Sequence, residues 1–545
     1  MAGVTIDLQN LFKQAGIQPY LAQGSPNGVR VRGLCTDSRQ VEAGDLFLGV
    51  LGTQVDGGRF VHTALQAGAE AALISQEAWA SVGSESLQVF SAPIATAGRS
   101  PFATAGHSPF ATAGRSPIFL LPAAALSQGI AQVAAAFYGF PARHLTLVGV
   151  TGTNGKTTTT HLIEYLLQAA GRPTALLGTL YNRWPGYSQM APHTTLFPIE
   201  LQRSLKEAYS AGAQVAVMEV SSHALAQDRV WGCPFQAAVW TNLTQDHLDF
   251  HPTMEDYWQA KATLFQPEYL QGRALINWDD AGGQRLFAEW DPSRAEPTHL
   301  EPWAYSLQPL QGIPGLWPTE VELHATGLKA TLHTPAGSGA VEAPLVGSFN
   351  LSNLLAAVGV ALHLGIPLEA IQATLPYFPG VPGRVERVLL PGQDITVIVD
   401  YAHTPDGLDN LLRAIRPQVQ GQLICVFGCG GDRDRGKRPQ MGRIAAEWAD
   451  QVIVTSDNPR TEDPQRILTD IVAGIPVPPK LVEVDRRQAI QQAILSAQPG
   501  DTVVIAGKGH ENYQILGTQK IHFDDREEAR HALALRTSEG IPNPG

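Results

Sequence analysis

Residues 145–170 read Leu-Thr-Leu-Val-Gly-Val, then Thr-Gly-Thr-Asn-Gly-Lys-Thr-Thr, then a run of helical character ending near Ala170. A buried strand, a glycine-rich turn and a helix in direct succession leave few folds open. The turn can aim backbone amides at a phosphate, Lys156 can neutralise it, and Thr157 can reach a magnesium ion. A strict phosphate-loop pattern wants glycine five positions before Gly155, where Val150 stands. The preceding strand and following helix carry the reading, which is nucleoside triphosphate binding through Gly152, Thr153, Asn154, Gly155, Lys156, Thr157 and Thr158. Further apolar strands at Gln214-Val-Ala-Val-Met-Glu-Val and Ala237-Ala-Val-Trp-Thr-Asn recur between helical stretches. That alternation predicts a parallel, doubly wound sheet.

At 545 residues the chain exceeds one hydrophobic core, and at roughly 100–200 residues per domain it should form about three. Short apolar segments at Asp45–Leu51 and Ala71–Ile74 predict a small N-terminal α/β domain over residues 1–124. The phosphate loop lies in a central parallel-sheet ATPase domain over 125–382. A second strand and helix alternation, with strands at Ile395, Leu423, Gln451 and Thr502, predicts a Rossmann-like C-terminal domain over 383–545. The expected fold class is therefore α/β in three domains.

The net charge of −12 argues against a nucleic-acid or anionic-membrane binder, so phosphate must be bound locally. The N-terminal stretch lacks the basic flank and apolar core of a signal peptide, and no apolar run reaches the ~20 residues that span a bilayer. A cytoplasmic monomer is the expectation. Cys35, Cys233, Cys425 and Cys429 are too scattered for a disulfide framework or a zinc site and read as structural thiols, with metal binding at Cys425 and Cys429 the other reading. Three tandem octapeptides, ATAGRSPF, ATAGHSPF and ATAGRSPI, span about residues 95–118. Each offers one large apolar side chain, too little to offset its ordering entropy, so the repeat reads as a mobile surface insertion or a partner-docking segment.

The run Thr151-Gly-Thr-Asn-Gly-Lys-Thr-Thr resembles the phosphate loop of the Mur ligases and their folylpolyglutamate and cyanophycin synthetase relatives. Glu219-Val-Ser-Ser-His, Asn242-Leu-Thr-Gln-Asp-His-Leu-Asp-Phe-His and Lys261 within Tyr257-Trp-Gln-Ala-Lys follow in the family's order. The resemblance implies an ADP-forming amide ligase: ATP phosphorylates a carboxylate, an amine attacks the acyl phosphate, and the C-terminal domain closes to exclude water. It implies Lys156, Lys261, His247 and Glu219 as catalytic groups, with magnesium held by Thr157, Glu219, His247 and a carbamylated Lys261. Asn350 in Gly347-Ser-Phe-Asn, Arg384 in Gly383-Arg-Val-Glu, and Asp400 in Asp400-Tyr-Ala-His resemble its further ATP contacts.

Asp457-Asn458-Pro459-Arg460 resembles the signature of the family member that adds meso-2,6-diaminopimelate to UDP-N-acetylmuramoyl-L-alanyl-D-glutamate in cytoplasmic peptidoglycan precursor synthesis. An arginine there can pair bidentately with the far carboxylate of diaminopimelate, which lysine lacks. Arg433, Gly507 and Glu511 match the other contacts to this amine. Ser38, His193, Thr194, Thr195, Ser221, Gln227 and Arg229 resemble contacts to the UDP-sugar peptide; the family commonly has asparagine where His193 stands. The alternatives are a relative that adds L-lysine, a folylpolyglutamate synthetase, and a non-catalytic regulator that uses nucleotide as a switch. The last would need neither Lys261 nor an intact amine pocket.

Overall fold

The computed structural model describes residues 5–52, 55–86, 116–290, 300–324 and 326–539. They fall into two compact units, Met1–Thr146 with Thr195–Gln214 and Ala224–Pro234, and Leu147–Thr194 with Val215–His223 and Phe235–Gly545.

Beside a short antiparallel pair, Ile6–Asp7 with Arg30–Val31, the first unit holds a five-stranded sheet: β1 (Tyr20–Gln23), β2 (Gly33–Cys35), β3 (Asp45–Leu48), β4 (Ala71–Ser75) and β5 (Ile118–Leu121). They lie in the order β1-β5-β4-β3-β2, parallel except for β1 against β5. β3, β4 and β5 are buried along their whole lengths, as central strands covered on both faces must be. Most of the octapeptide repeat, residues 95–115, lies outside the described residues, and with it the expected mobile insertion. Ile118, the apolar position of the third octapeptide, is fully buried as the first residue of β5.

The second unit contains two large sheets and a short antiparallel hairpin, Tyr513–Leu516 with Gln519–His522. One has eleven strands: β6 (Thr146–Thr151), β7 (Thr174–Leu177), β8 (Tyr181–Trp184), β9 (Tyr187–Met190), β10 (Val215–Glu219), β11 (Phe235–Trp240), β12 (Leu270–Asn277), β13 (Leu300–Tyr305), β14 (Gly315–His324), β15 (Gly327–Thr334) and β16 (Gly337–Ala343). Their order is β9-β8-β7-β10-β6-β11-β12-β13-β14-β15-β16. The pairs β7–β10, β6–β11, β11–β12, β12–β13 and β13–β14 are parallel, as the run of apolar strands predicts. The antiparallel hairpin β8–β9 at one edge and the meander β14–β16 at the other were not foreseen. Helices α1 (Lys156–Ala169) and α3 (Ser348–His363) share the sheet's core, with Leu162, Ile163 and Leu166 in the same cluster as Leu354, Leu355 and Val358. Helix α2 (Met254–Ala262) lies between them in the chain.

The other sheet has six strands: β17 (Glu386–Val388), β18 (Thr396–Asp400), β19 (Leu423–Phe427), β20 (Gln451–Thr455), β21 (Leu481–Glu483) and β22 (Thr502–Ala506), ordered β17-β18-β22-β19-β20-β21. All neighbours are parallel except β17–β18. Ligands of such sheets sit at the carboxyl ends of the strands, and the loops after β18, β20 and β22 carry three of the expected motifs. Arg486, wholly buried at the start of helix α5 (Arg486–Ser496), braces two of these loops. Its guanidinium makes two 2.7 Å hydrogen bonds to the buried Asp525 carboxylate and donates to the carbonyls of Ser456 (3.1 Å) and Ala506 (2.9 Å). Those carbonyls immediately precede Asp457 and Gly507, so one cation fixes the spacing of both loops. No helix among the described residues is long and apolar enough to cross a membrane.

Candidate active site

The phosphate loop joins the end of β6 to α1. Gly152 (φ +147°) and Gly155 (φ +87°) adopt backbone angles that side chains disfavour. A Cβ on Gly152 would lie 1.8 Å from Thr241 Oγ1, and one on Gly155 2.4 Å from Asn353 Oδ1, so close packing also requires glycine at both. The loop is cross-braced by the strand end at residue 241: Asn154 N donates to Asn242 Oδ1 (2.9 Å), and Thr241 Oγ1 donates to Asn154 O (2.6 Å). No side chain caps the N-terminus of α1, which leaves its first amides available to an anion. The Lys156 ammonium donates to the carbonyls of Gly152 and Thr153, both at 2.9 Å. Burial pulls its pKa down, opposed by the charges of Glu219 and Asp246.

Glu219 ends β10 with no exposed surface. Its carboxylate accepts from Thr157 Oγ1 (3.2 Å), Thr179 N (2.8 Å) and Thr179 Oγ1 (2.9 Å). Arg384 donates to the same Thr157 hydroxyl at 3.0 Å, so two expected ATP contacts from distant parts of the chain meet there. Lys261 is 1% exposed. Its Nζ lies 2.8 Å from Gly152 O and 4.4 Å from the centroid of the Tyr257 ring. Burial and the nearby charge of Lys156 push its pKa well below the usual lysine value, which favours the neutral amine. Lys261 is carried by α2, whose N-terminus is a capping box: Asp256 N donates to Thr253 Oγ1 (3.1 Å) and Thr253 N to Asp256 Oδ2 (3.1 Å). Thr253→Ala is expected to cost about 1 kcal/mol of stability, read as a lower urea midpoint at unchanged m-value.

His247 adopts a left-handed backbone (φ +57°) and packs edge-on against His223, ring centroids 4.8 Å apart. Burial lowers its pKa to about 3 despite the Asp246 carboxylate 3.5 Å away, so near neutral pH it is an uncharged imidazole. Among the described residues no three His, Cys, Asp or Glu side chains group to hold a metal by themselves. The Thr157–Glu219 pair nevertheless suits magnesium, which keeps several waters and takes phosphate oxygens beside one or two protein ligands.

Asp246, adjacent to His247 and unnoticed in the sequence, is 5% exposed. It faces Lys437 Nζ at 3.4 Å and His403 Nε2 at 3.8 Å, both from the C-terminal third of the chain. Burial raises its pKa, but the nearby His403 ring and the charge of Lys437 outweigh that and hold it well below the usual carboxylate range. Asn154 of the phosphate loop likewise donates to Asp406 Oδ2 (2.8 Å) at the start of helix α4 (Pro405–Ile415). A cavity of ≈ 400 Å³ opens beside these contacts, lined among others by Thr157, Asn350, Arg384, Asp400 and Asp406. The amide of Asn350 donates to Val346 O (2.9 Å) and accepts from Asn353 (3.2 Å). Both Asp400 oxygens accept backbone amides, from Val385 and Ala402 at 2.7 Å each, so Asp400 shapes the loops at the cavity wall.

The expected amine contacts gather at the ends of β20 and β22. Asn458 Nδ2 donates to Glu511 Oε2 at 2.8 Å, and its Oδ1 accepts from Ile515 N at 3.0 Å. Gly507 (φ +118°) brings the chain so close that a Cβ would stand 2.8 Å from Asp457 Oδ2. Arg460 follows the buried Pro459, takes φ +51° and donates from Nη1 to Gly431 O at 2.7 Å. Arg433 is exposed and donates from Nη1 to the adjacent Asp432 carbonyl at 2.9 Å. The cysteines expected to be structural behave so: Cys233, Cys425 and Cys429 are buried, and burial raises each thiol to about 12.

The residues expected to contact the UDP-sugar peptide divide between the two units. In the first unit Ser38 is buried, and Arg229 donates to Thr195 O (2.9 Å) and to Gln227 Oε1 (2.9 and 2.7 Å) while stacking on Phe197 at 3.9 Å. In the second, His193 is exposed, the Thr194 and Thr179 hydroxyl oxygens lie 3.1 Å apart, and Ser221 follows β10.

Three family descriptions match the chain in order: "Mur ligase family, catalytic domain" over residues 30–102, "Mur ligase middle domain" over 150–361, and "Mur ligase, glutamate ligase domain" over 383–509. The chain is 58% identical over 514 residues to the UDP-N-acetylmuramoyl-L-alanyl-D-glutamate--2,6-diaminopimelate ligase of Gloeobacter violaceus, covering 94% of this chain and 96% of that protein. It is 52% identical over 538 residues to the enzyme of the same name from Thermosynechococcus vestitus, covering 98% and 99%. A solved structure of an enzyme of that name is 34% identical with a TM-score of 0.62, over 98% of this chain and 100% of the other. The glycine-bound phosphate loop, the Glu219 strand end and the strand-end loops of the last sheet thus occur in a chain more than half identical to such ligases over nearly its whole length, and the chain belongs to the Mur ligase family.

Proposed function

We propose that this protein joins meso-2,6-diaminopimelate to UDP-N-acetylmuramoyl-L-alanyl-D-glutamate, converting ATP to ADP and phosphate, as a cytoplasmic step of peptidoglycan precursor synthesis. The observation that carries the choice of amine is the pairing of Asp457–Arg460 with Gly507–Glu511 at the carboxyl ends of β20 and β22, with Asn458 bonded to Glu511 at 2.8 Å. An acid for an ammonium and an arginine for a carboxylate, held together on one sheet edge, match the two charged groups at the far end of diaminopimelate.

A carboxylate is a poor electrophile. Transfer of the γ-phosphoryl group to a substrate carboxylate oxygen releases ADP and leaves an acyl phosphate. The amine nitrogen then attacks the acyl carbon, the C–O bond to phosphate breaks, and the amine loses a proton as the amide forms. The amides at the start of α1 and Lys156 offset the phosphate charge, and Arg384 adds a second cation beside Thr157. Magnesium, held by Thr157 and Glu219 with neutral His247 and carbamylated Lys261 nearby, would supply further charge neutralisation. Asn350 and Asp400 wall the nucleotide cavity, and Ser38, His193, Thr194, Thr195, Ser221, Gln227 and Arg229 are assigned to the UDP-sugar peptide.

The test is ATP-dependent phosphate release with the UDP-linked dipeptide and either meso-diaminopimelate or L-lysine, with the product identified by mass. Strong preference for diaminopimelate is expected. Preference for lysine would overturn the pocket assignment, and nucleotide exchange without product would favour a regulatory role.

A further inference from the structure

Lys508 lies inside the Gly507–Glu511 run, yet nothing in the reaction as described uses it. It is wholly buried. Its Nζ stands 2.9 Å from Glu511 Oε2, 3.3 Å from Asn458 Oδ1 and 3.9 Å from Asp457 Oδ1. Glu511 Oε2 therefore accepts from both Lys508 and Asn458, while Oε1 accepts from the Tyr513 hydroxyl at 3.3 Å. One ammonium ties together three of the residues assigned to the amine, and it does so from beneath the pocket, where solvent cannot screen it.

We infer that Lys508 sets the charge balance by which this pocket prefers an amine whose far end is a zwitterion over one whose far end is a bare ammonium. The inference rests on the diaminopimelate reading above. On the runs Asp457–Arg460 and Gly507–Glu511, Asp457 and Glu511 bring two negative charges and Lys508 and Arg460 two positive ones, so these runs sum to zero, while the exposed Arg433 adds a solvent-screened positive charge. The far end of diaminopimelate, one carboxylate and one ammonium, also sums to zero. The far end of L-lysine carries one positive charge. With Lys508 in place, Glu511 Oε1, which accepts the 3.3 Å bond from Tyr513, has a lone pair for the substrate ammonium, but the two runs have no net negative charge with which to draw in an unaccompanied cation. Selectivity of this kind is a difference between two affinities, and the buried base acts against the wrong amine. Lys508 is a positioning residue: it acts through Glu511 and Asp457.

The experiment measures kcat/KM for meso-diaminopimelate and for L-lysine in the full-length wild-type protein and in Lys508→Met, Lys508→Gln and the charge-keeping Lys508→Arg. Removing the Lys508 charge leaves the two runs net negative, and Lys508→Met and Lys508→Gln are both expected to lower the diaminopimelate-to-lysine ratio by about tenfold or more, with the KM for ATP within about twofold. Lys508→Arg keeps the positive charge and is expected to hold the ratio to within about threefold of wild type. Lys508→Gln, which can still donate a hydrogen bond to Glu511, keeps the test open should Lys508→Met fail to fold. An unchanged ratio in Lys508→Met and Lys508→Gln, with both amines weakened alike, would make Lys508 a structural prop and overturn the inference; so would a Lys508→Arg protein shifted toward lysine as far as Lys508→Met. Wild-type protein that makes no product with diaminopimelate would instead overturn the reading on which the inference rests.

Discussion

Lys261→Ala is expected to lower kcat by about 10²–10³-fold while the protein still folds and binds ATP. The expectation follows from where the amine sits. Lys261 is buried against Gly152 O and the Tyr257 ring, beside the phosphate loop, and burial together with the Lys156 charge favours its neutral form. A neutral amine is the form that attacks carbon dioxide: the N–C bond forms, one proton leaves the nitrogen, and the neutral amine becomes a carbamate anion. That gain of negative charge turns a residue that Lys156 helps keep uncharged into one that attracts both Lys156 and a magnesium ion. The same logic gives a test without mutation. Wild-type protein held in buffer stripped of carbon dioxide should lose activity and regain it on addition of bicarbonate, and intact-protein mass should show one added carbon dioxide that Lys261→Ala lacks. Full activity in stripped buffer with no mass difference would leave Lys261 as a packing residue, and its replacement would then cost stability with little change in kcat.

How far these groups could be read from the sequence depended on whether a local signal marked them. The phosphate loop could be read because glycine, lysine and threonine at fixed spacing after an apolar run leave one backbone geometry, and Gly152 and Gly155 do take the positive φ values that geometry requires. The parallel strands were legible for the same reason: Val215–Glu219 and Thr502–Ala506 are buried on both faces and so read as continuous apolar runs. The meander of Gly315–His324, Gly327–Thr334 and Gly337–Ala343 was not, because its exposed face carries polar residues and its Pro318 and many glycines read as loop. Asp246 and Lys508 stood inside motifs already singled out, but their roles are set by partners 191 residues away (Lys437) and 50 residues away (Asn458). Nothing local in the sequence specifies such a pairing. Arg486 was invisible for a related reason, since a single arginine at a helix start gives no hint that two carbonyls and a buried carboxylate converge on it.

Arg460→Ala is expected to lower kcat/KM for diaminopimelate by about 10²–10³-fold, because a buried site built for a charged group loses its paired hydrogen bonds. Lysine at this position should recover little of that loss, since an ammonium cannot present the planar fork that a carboxylate accepts. The backbone separates this effect from a folding defect. Arg460 sits at φ +51°, pinned by Arg460 N donating to Ile515 O (3.1 Å) and Gly517 N donating to Arg460 O (2.8 Å). Any residue with a Cβ bears the cost of that left-handed conformation, about 1–2 kcal/mol, and only glycine escapes it. Arg460→Gly should therefore abolish selection for diaminopimelate as fully as alanine does while melting no lower than the alanine variant. A protein that lost amine recognition only in proportion to its loss of stability would show Arg460 to be structural. The two basic residues of the pocket should then lower the diaminopimelate-to-lysine ratio by different routes. Removing Lys508 should admit lysine, because it frees negative charge, whereas removing Arg460 should weaken diaminopimelate with less effect on lysine, which has no carboxylate to lose. Measuring both amines in both variants distinguishes a pocket that recognises the far carboxylate from one that merely tolerates it.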